Sequence, residues 1–180
     1  MAADAPAMSQ FHIRRLGPVD AGDYRAIRLA ALEREPAAFG STYAAEVGRS
    51  LSEFAQRLET AVVYGAYADG AIVGMAGFKR YDGARHGHKA FVWGTYVQAD
   101  RRRHGVACAL LEALIEAARS EVEQLTLAVV SDNLPAIALY RRLGFEVYGT
   151  EPRALKSADR YADEVLMVRF LVNATRTCAR

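Results

Sequence analysis

Between Val97 and Leu111 the chain reads VQADRRRHGVACALL. A strand-like run stops, three arginines and a histidine follow, and Gly105 opens an amphipathic helix. Such a junction builds an anion cradle. The first turn of a helix carries backbone N–H groups with no acceptor inside the helix, and the helix dipole adds partial positive charge there. Gly105 has no side chain to hold a phosphate away from the backbone, and Ala107 is small. Arginines beside the cradle carry the planar fork that pairs with phosphate oxygens. These residues point to a phosphate-bearing ligand. Spacing excludes two common kinds of site. No GxxxxGK[ST] is present, as a P-loop requires, and no GxGxxG follows a strand, as a dinucleotide fold requires.

The elements that must position this junction follow from periodicity. Phe11–Leu16 reads as a strand. A helix capped by Asp20 runs to about Glu35, where Pro36 stops it. Ala37–Arg49 reads as irregular. Ser50 and Glu53 have capping-box spacing and open a second helix that ends near Glu59. Ala61–Ala68 and Ala71–Arg80 are strand-like, and the Asp69-Gly70 pair between them marks a hairpin. A polar loop at Tyr81–Gly87 leads into a strand over His88–Val97. After Gly105, Val106, Ala107, Leu110, Leu111, Leu114, Ile115 and Ala118 recur on one helical face. Leu125–Val130 suits a strand buried on both faces. Leu134–Leu143 reads as a short helix ended by Gly144. Phe145–Thr150 and Tyr161–Leu171 read as the last strands, joined by a basic loop with Arg153, Lys156 and Arg160. This order indicates a mixed α/β sheet, with a parallel crossover between His88 and Val130.

Composition narrows the class. The chain has 180 residues, 52% of them hydrophobic, and a net charge of +2, too small to argue for DNA or RNA. No apolar run is long enough to span a membrane. Cys108 and Cys178 suggest neither a disulfide framework nor a zinc site, so a cytoplasmic setting is expected. His86 and His88 do not make a ligand set by themselves, so no metal is expected. Residues 1–10 lack a secretory pattern and read as a disordered leader.

The spacing Arg102-x-x-Gly105-x-Ala107 resembles the acyl-CoA pyrophosphate loop of the GNAT superfamily of N-acetyltransferases, [QR]-x-x-G-x-[GA]. A second stretch, Leu127–Val130, then Asn133, Ala136, Leu139-Tyr140 and Gly144-Phe145, is similar to another signature of that superfamily, in the right order. The resemblance extends from Phe11 to Leu171. It departs at Ala99, where many members have Pro. It implies an α/β (α+β) fold with a mixed central sheet of about seven strands and four helices, splayed between strands 4 and 5. One such domain would occupy residues 11–172, with a tail at 173–180.

The same resemblance implies transfer of an acetyl group from acetyl-CoA to a primary amine of a small molecule, by direct attack in a ternary complex. A protein N-terminus or lysine is the rival amine, and a non-catalytic acyl-CoA-binding module is the rival class. In this reading Arg102 flanks the pyrophosphate. The backbone of Arg103, His104, Gly105, Val106, Ala107 and Cys108 receives it. The pantetheine arm pairs like an added strand with Tyr96 and Val97, one of whose N–H groups polarises the thioester carbonyl. Asn133 orients the next helix start or bonds the pantetheine, and Ala136 is a cofactor-binding position after it; helix N-cap is the plainer role for Asn133. Tyr140 is the acid for the leaving thiolate, since a phenol near its usual pKa of about 10 keeps its proton at neutral pH; its plainer role is core packing. Many relatives carry a carboxylate on the strand equivalent to His88–Val97, and HKAFVWGTYV has none. The base is left among His88, Glu46 and water. The amine's specificity is expected in Pro36–Ser50 and Glu151–Tyr161. A homodimer is compatible with the pairing common among relatives.

Overall fold

The structure is a computed structural model that describes residues 11–171. The expected leader at 1–10, the tail at 173–180 and Cys178 lie outside the described residues. Strand β1 (Phe11–Arg15) leads into helix α1 (Ala21–Arg34), the single turn α2 (Tyr43–Glu46) and α3 (Leu51–Thr60). Strands β2 (Val62–Ala68), β3 (Ala71–Arg80) and β4 (Lys89–Val97) follow. Then come α4 (Val106–Ala118), β5 (Gln124–Val130), α5 (Leu134–Arg142), β6 (Glu146–Ser157) and β7 (Arg160–Phe170). The seven strands lie in the order β1-β2-β3-β4-β5-β7-β6, and only β4 and β5 run parallel. This is the mixed sheet the sequence predicts, with four helices of nine residues or more plus the one-turn α2.

Local chemistry accounts for most boundaries. Glu53 N–H donates to Ser50 Oγ at 3.3 Å and Ser50 N–H donates to Glu53 Oε2 at 2.7 Å, the reciprocal box that starts α3. Asp69 and Gly70 both take positive φ, +53° and +78°, as the tightest hairpin turn demands. Asp20 departs from its expected role. It precedes α1 but caps no helical N–H; its carboxylate accepts from Gly17 N–H at 2.8 Å and pairs with Arg14 at 2.8 Å.

Two other expectations need correction. The segment 37–49 is not wholly irregular, because Thr42 Oγ1 accepts from Ala45 N–H at 3.3 Å and nucleates α2. The basic loop placed between the last two strands is itself strand: β6 and β7 pair out to Ser157↔Arg160. Most of β6 is exposed, so no apolar alternation marks it. Pro152 is tolerated because β6 is the edge of the sheet, and the register slips between Glu151 and Leu155, where Arg153 takes φ +53°.

The core has two layers. On one face α4 buries Leu110, Leu111 and Leu114 against β2–β5, together with Ile137 and Phe145. On the other, α1 and α3 bury Tyr24, Ile27, Phe54 and Leu58 against Met75 and Tyr96. Full burial of each large apolar side chain contributes about 1.5–3 kcal/mol relative to exposure, so these layers fix the sheet that carries the site.

The sheet opens where β4 leaves β5. Only Lys89↔Gln124, Ala90↔Leu125 and Phe91↔Thr126 are paired between them. Beyond Phe91 the strands diverge. Gly94, at φ +67°, forms a bulge there, and the β3–β4 register slips between Met75 and Gly77.

Candidate active site

The cradle forms at the turn from β4 into α4. Gly105 is left-handed at φ +83° and serves as the N-cap; a Cβ added there would meet nothing within 4 Å, so the approach to the helix end is open. Arg103 is also left-handed, at φ +66°. Left-handed residues on either side of His104 make the kind of turn in which successive amides gather into an anion-binding concavity. The first backbone N–H past the turn with an acceptor is that of Ala109, bonded to Gly105 O at 3.0 Å. Among the described residues, the amides of Arg103, His104, Gly105, Val106, Ala107 and Cys108 meet no protein acceptor. Side chains do not plug the cradle: His104 is exposed, and the Cys108 thiol turns back to Glu112 at 3.5 Å.

The arginines divide their work. Arg102 does not point its fork at the cradle. Its Nε donates to Val97 O at 3.0 Å and its Nη2 to Glu35 at 2.6 Å, so it ties the end of β4 to the end of α1. Arg101 pairs with Asp69 at 2.9 Å. Arg103 is exposed and has no ion-pair partner among the described residues.

Backbone direction separates Tyr96 from Val97. Gln98 N–H donates to Val73 O at 2.9 Å, on β3. Successive residues of a strand turn their polar groups to opposite sides, so Tyr96 faces β3 and Val97 faces the gap. The Val97 carbonyl taking Arg102 Nε agrees with this. Tyr96 thus offers the gap no backbone group; its ring is buried, with the Arg102 guanidinium 5.9 Å from the ring centroid.

Across the gap stands α5. Asn133 is its N-cap, and Asn133 Oδ1 accepts from Ala136 N–H at 3.3 Å; this is the plainer role foreseen for it, and it occupies Ala136's amide as well. One helical turn on, Tyr140 is 8% exposed and sits edge-on to Phe145, with ring centroids 5.7 Å apart. Burial pushes the Tyr140 phenol up, and the neighbouring Thr95 hydroxyl works the other way without reversing it. Thr95 Oγ1, on the free stretch of β4, is buried with no hydrogen-bond partner. Thr95 escaped the sequence reading because a lone Thr in a strand signals nothing. Gly94 did carry a signal, since a glycine inside a strand pattern marks a bulge.

The candidate bases fare unequally. Glu46 is 2% exposed and ion-paired to Arg28 at 2.8 Å and Arg57 at 2.9 Å. Burial pushes its carboxyl up, but hydrogen bonds from Arg28, Ser41 and Arg57 outweigh that and hold it at about 2. A carboxylate so stabilised is a poor base. His88 precedes β4 at the end where β4 and β5 are still paired, about 30 Å of strand from Val97, at about 3.3 Å per residue. It lines an open cavity of about 800 Å³ with Arg80 and Arg119, away from the gap.

The segments expected to cover the amine site do meet. A Cβ on Gly40 would lie 3.8 Å from Leu155 Cδ2, which joins the α1–α2 connection to the β6–β7 hairpin. No cluster of three or more His, Cys, Asp or Glu suited to a metal occurs among the described residues, and no described helix is long and apolar enough to cross a membrane.

A parallel pair that parts at a bulge, with an amide cradle at the following helix, defines an α/β fold with an open strand edge beside an acceptor-free helix start. The sequence pattern of the acetyltransferase (GNAT) family matches residues 25–145, and the chain belongs to that family. It is 40% identical over 73 residues to an L-methionine sulfoximine/L-methionine sulfone acetyltransferase of Pseudomonas paraeruginosa, covering 40% of this chain and 42% of the relative. It is 33% identical over 106 residues to the L-amino acid N-acetyltransferase AaaT of Escherichia coli, covering 58% and 65%. The chain therefore spans less than two thirds of either relative. A Salmonella typhimurium acetyltransferase structure with its cofactor acetyl-CoA shares the fold, at TM-score 0.79 and 20% identity over 94% of this chain and 99% of that one.

Proposed function

We propose that this protein is an N-acetyltransferase that moves the acetyl group of acetyl-CoA to a primary amine of a small molecule, by direct attack in a ternary complex. One observation carries the reading. The turn before α4 offers six acceptor-free amides at residues 103–108, Val97 turns its backbone to the gap, and the buried phenol of Tyr140 neighbours Thr95 on the same free stretch of β4. The fit to the coenzyme is chemical: amides for a diphosphate, an open strand edge for an amide-bearing arm, and the Thr95 hydroxyl beside the Tyr140 phenol where that arm would end. The amino-acid acetyltransferases among its relatives support the small-molecule amine.

When bound, the coenzyme supplies an acyl carbon already activated as a thioester. The protein's own residues do the rest. The cradle amides hold negative charge, each such interaction contributing about 0.3–1 kcal/mol. Val97 N–H is the donor available to pair the arm or polarise a carbonyl in the gap. Tyr140 keeps its proton through neutral pH and delivers it to the sulfur that departs. Glu46 is locked in ion pairs and His88 lies far off, so water removes the amine's proton. The Cys108 thiol donates to Glu112 along α4 at 3.5 Å, which favours direct attack by the amine over a covalent acyl intermediate. This free thiol suits the cytoplasm, the compartment we assign.

The test is thiol release from acetyl-CoA with a panel of simple amines, amino acids and peptides, alongside calorimetric titration of CoA. Turnover on a small amine supports the reading. CoA binding without turnover on any member would replace it with an acyl-CoA-binding module, and turnover on peptides alone with a protein acetyltransferase.

A further inference from the structure

The face of β4 that packs on α1 holds a charge cluster that acetyl transfer does not explain. Arg28 is 6% exposed and rises from the buried stripe of α1, four residues after Tyr24 and three before Ala31. Its Nε and Nη2 donate to the two oxygens of Glu46 at 3.3 and 2.8 Å. Its guanidinium carbon lies 5.4 Å from the ring centroid of Phe39 and 5.8 Å from that of Trp93. Arg57 donates to the same Glu46 carboxylate at 2.9 Å. Arg57 is partly exposed and also lies within the field of Glu53 on α3, whereas Arg28 is desolvated, and a desolvated cation calls for full counter-charge around its fork.

The third edge of Arg28 shows where that counter-charge enters. Nη1 has no acceptor among the described residues, and it is not sealed away as the Tyr24 and Thr95 hydroxyls are. It lies 3.8 Å from where a Cβ on Gly94 would sit. Gly94 is the half-exposed bulge residue next to Thr95, at the mouth of the gap. With no side chain on Gly94, the bulge backbone leaves about the width of a methyl beside the guanidinium edge, bounded by Met75 Cε at 4.0 Å from the same point.

We infer that Arg28 determines specificity for the amine substrate: its Nη1 edge binds a carboxylate on that substrate, whose class is therefore the amino carboxylates, amino acids among them. A single free guanidinium edge matches one carboxylate rather than a dianionic phosphate. Phe39 and Trp93 hold the guanidinium plane, and Glu46 fixes its rotation by taking the other two nitrogens. This inference rests on the acetyl-transfer reading above and names the substrate class of that site.

The experiment compares kcat/KM for L-methionine sulfone and L-leucine with their carboxamides, in the parent protein, Arg28→Lys and Gly94→Ala. The carboxamide has the less basic amine, so its larger free-amine fraction cannot produce a preference for the acid. The parent is expected to prefer the acids by about 10- to 100-fold, the range of a hydrogen bond to a charged group. Arg28→Lys keeps a cation for Glu46 but deletes the Nη1 edge, and should bring the preference near unity through KM for the acid. CoA affinity and melting temperature report folding. Gly94→Ala puts a methyl 3.8 Å from Nη1 and strains the bulge at φ +67°, so CoA affinity is its control; with that affinity kept it should raise KM for the acids selectively, and it decides the matter if Arg28→Lys does not fold. Turnover without preference in the parent, or a preference kept in both variants, overturns the inference and leaves the acetyl-transfer reading standing. No turnover on acid or carboxamide while a simple amine of the panel is acetylated overturns this inference alone; no turnover on any amine, with CoA bound, removes that reading and this inference together.

Discussion

Glu46→Gln separates a structural carboxylate from a catalytic one. The folded protein holds this carboxyl at about 2 against an ordinary 4.5. At 1.36 kcal/mol per pKa unit, that depression corresponds to about 3 kcal/mol of stability. A depressed carboxyl contributes in full above its unfolded value and loses the contribution as pH falls through its folded one. The stabilisation is therefore complete at pH 7, erodes below about pH 4.5, and is mostly gone near pH 2. Glutamine leaves Arg28 and Arg57 without a counter-charge, and breaking a buried pair in this way costs about 3–5 kcal/mol. For a chain of this size each kcal/mol moves Tm by about 2–4 °C, so the variant should melt about 6–20 °C lower at pH 7. Circular dichroism melts at pH 7 and pH 2.5 read both quantities, and the gap between parent and variant should narrow at the lower pH. A variant within 2 °C of the parent at pH 7, or a gap indifferent to pH, would refute the reasoning. At 15 °C, where the variant stays folded, kcat should remain within about tenfold of the parent; a loss of 10²-fold or more, the scale of general base catalysis, would restore Glu46 as the base.

Tyr140→Phe should lower kcat by about 10²-fold or more while the calorimetric Kd for CoA stays within threefold; unchanged turnover removes Tyr140 as the acid. Because burial raises the phenol, its loss of a proton should not limit kcat below pH 10, whereas amine deprotonation should make the rate climb from pH 7 to 9. Gly105→Val places a β-branched residue at φ +83° in the cradle, and CoA affinity should fall at least tenfold; an unaltered binding isotherm would exclude the cradle as the phosphate site. Gly74→Ala puts a methyl 3.0 Å from Tyr96 O and 3.1 Å from Leu110 Cδ1. Crowding there should cost about 1–3 kcal/mol, read as a lower urea midpoint, and equal midpoints would contradict the packing.

Sequence pattern located the cradle because its physics is local. Gly105 and the first turn of α4 need only their own backbone. The four long helices and the Asp69-Gly70 hairpin were legible for the same reason, being written in periodicity, caps and turn residues. The second half of β6 was not, because an edge strand with both faces largely exposed has no apolar alternation to show. Arg102 was read as a phosphate ligand from its motif position, but Glu35 and the Val97 carbonyl, distant in sequence, claim its fork. Glu46 looked like a free carboxylate for a similar reason: Arg28 and Arg57 lie 18 and 11 residues away and nothing short-range announces them. Arg28 itself left a trace, a charged residue at helical spacing among buried Tyr24, Ile27 and Ala31, that only tertiary packing explains.

Three paired positions and one flanking backbone bond, Glu123 N–H to His88 O at 2.7 Å, join β1–β4 to β5–β7 across the middle of the sheet among the described residues. The two blocks are consequently stitched at one margin, like a book held by its spine, with α4 as the binding. Anything that spans the open pages adds rungs to both at once. Amide exchange should therefore slow in both leaves together when the coenzyme is added, in residues 92–97 and 127–130 most of all, even though the molecule touches only a fraction of either.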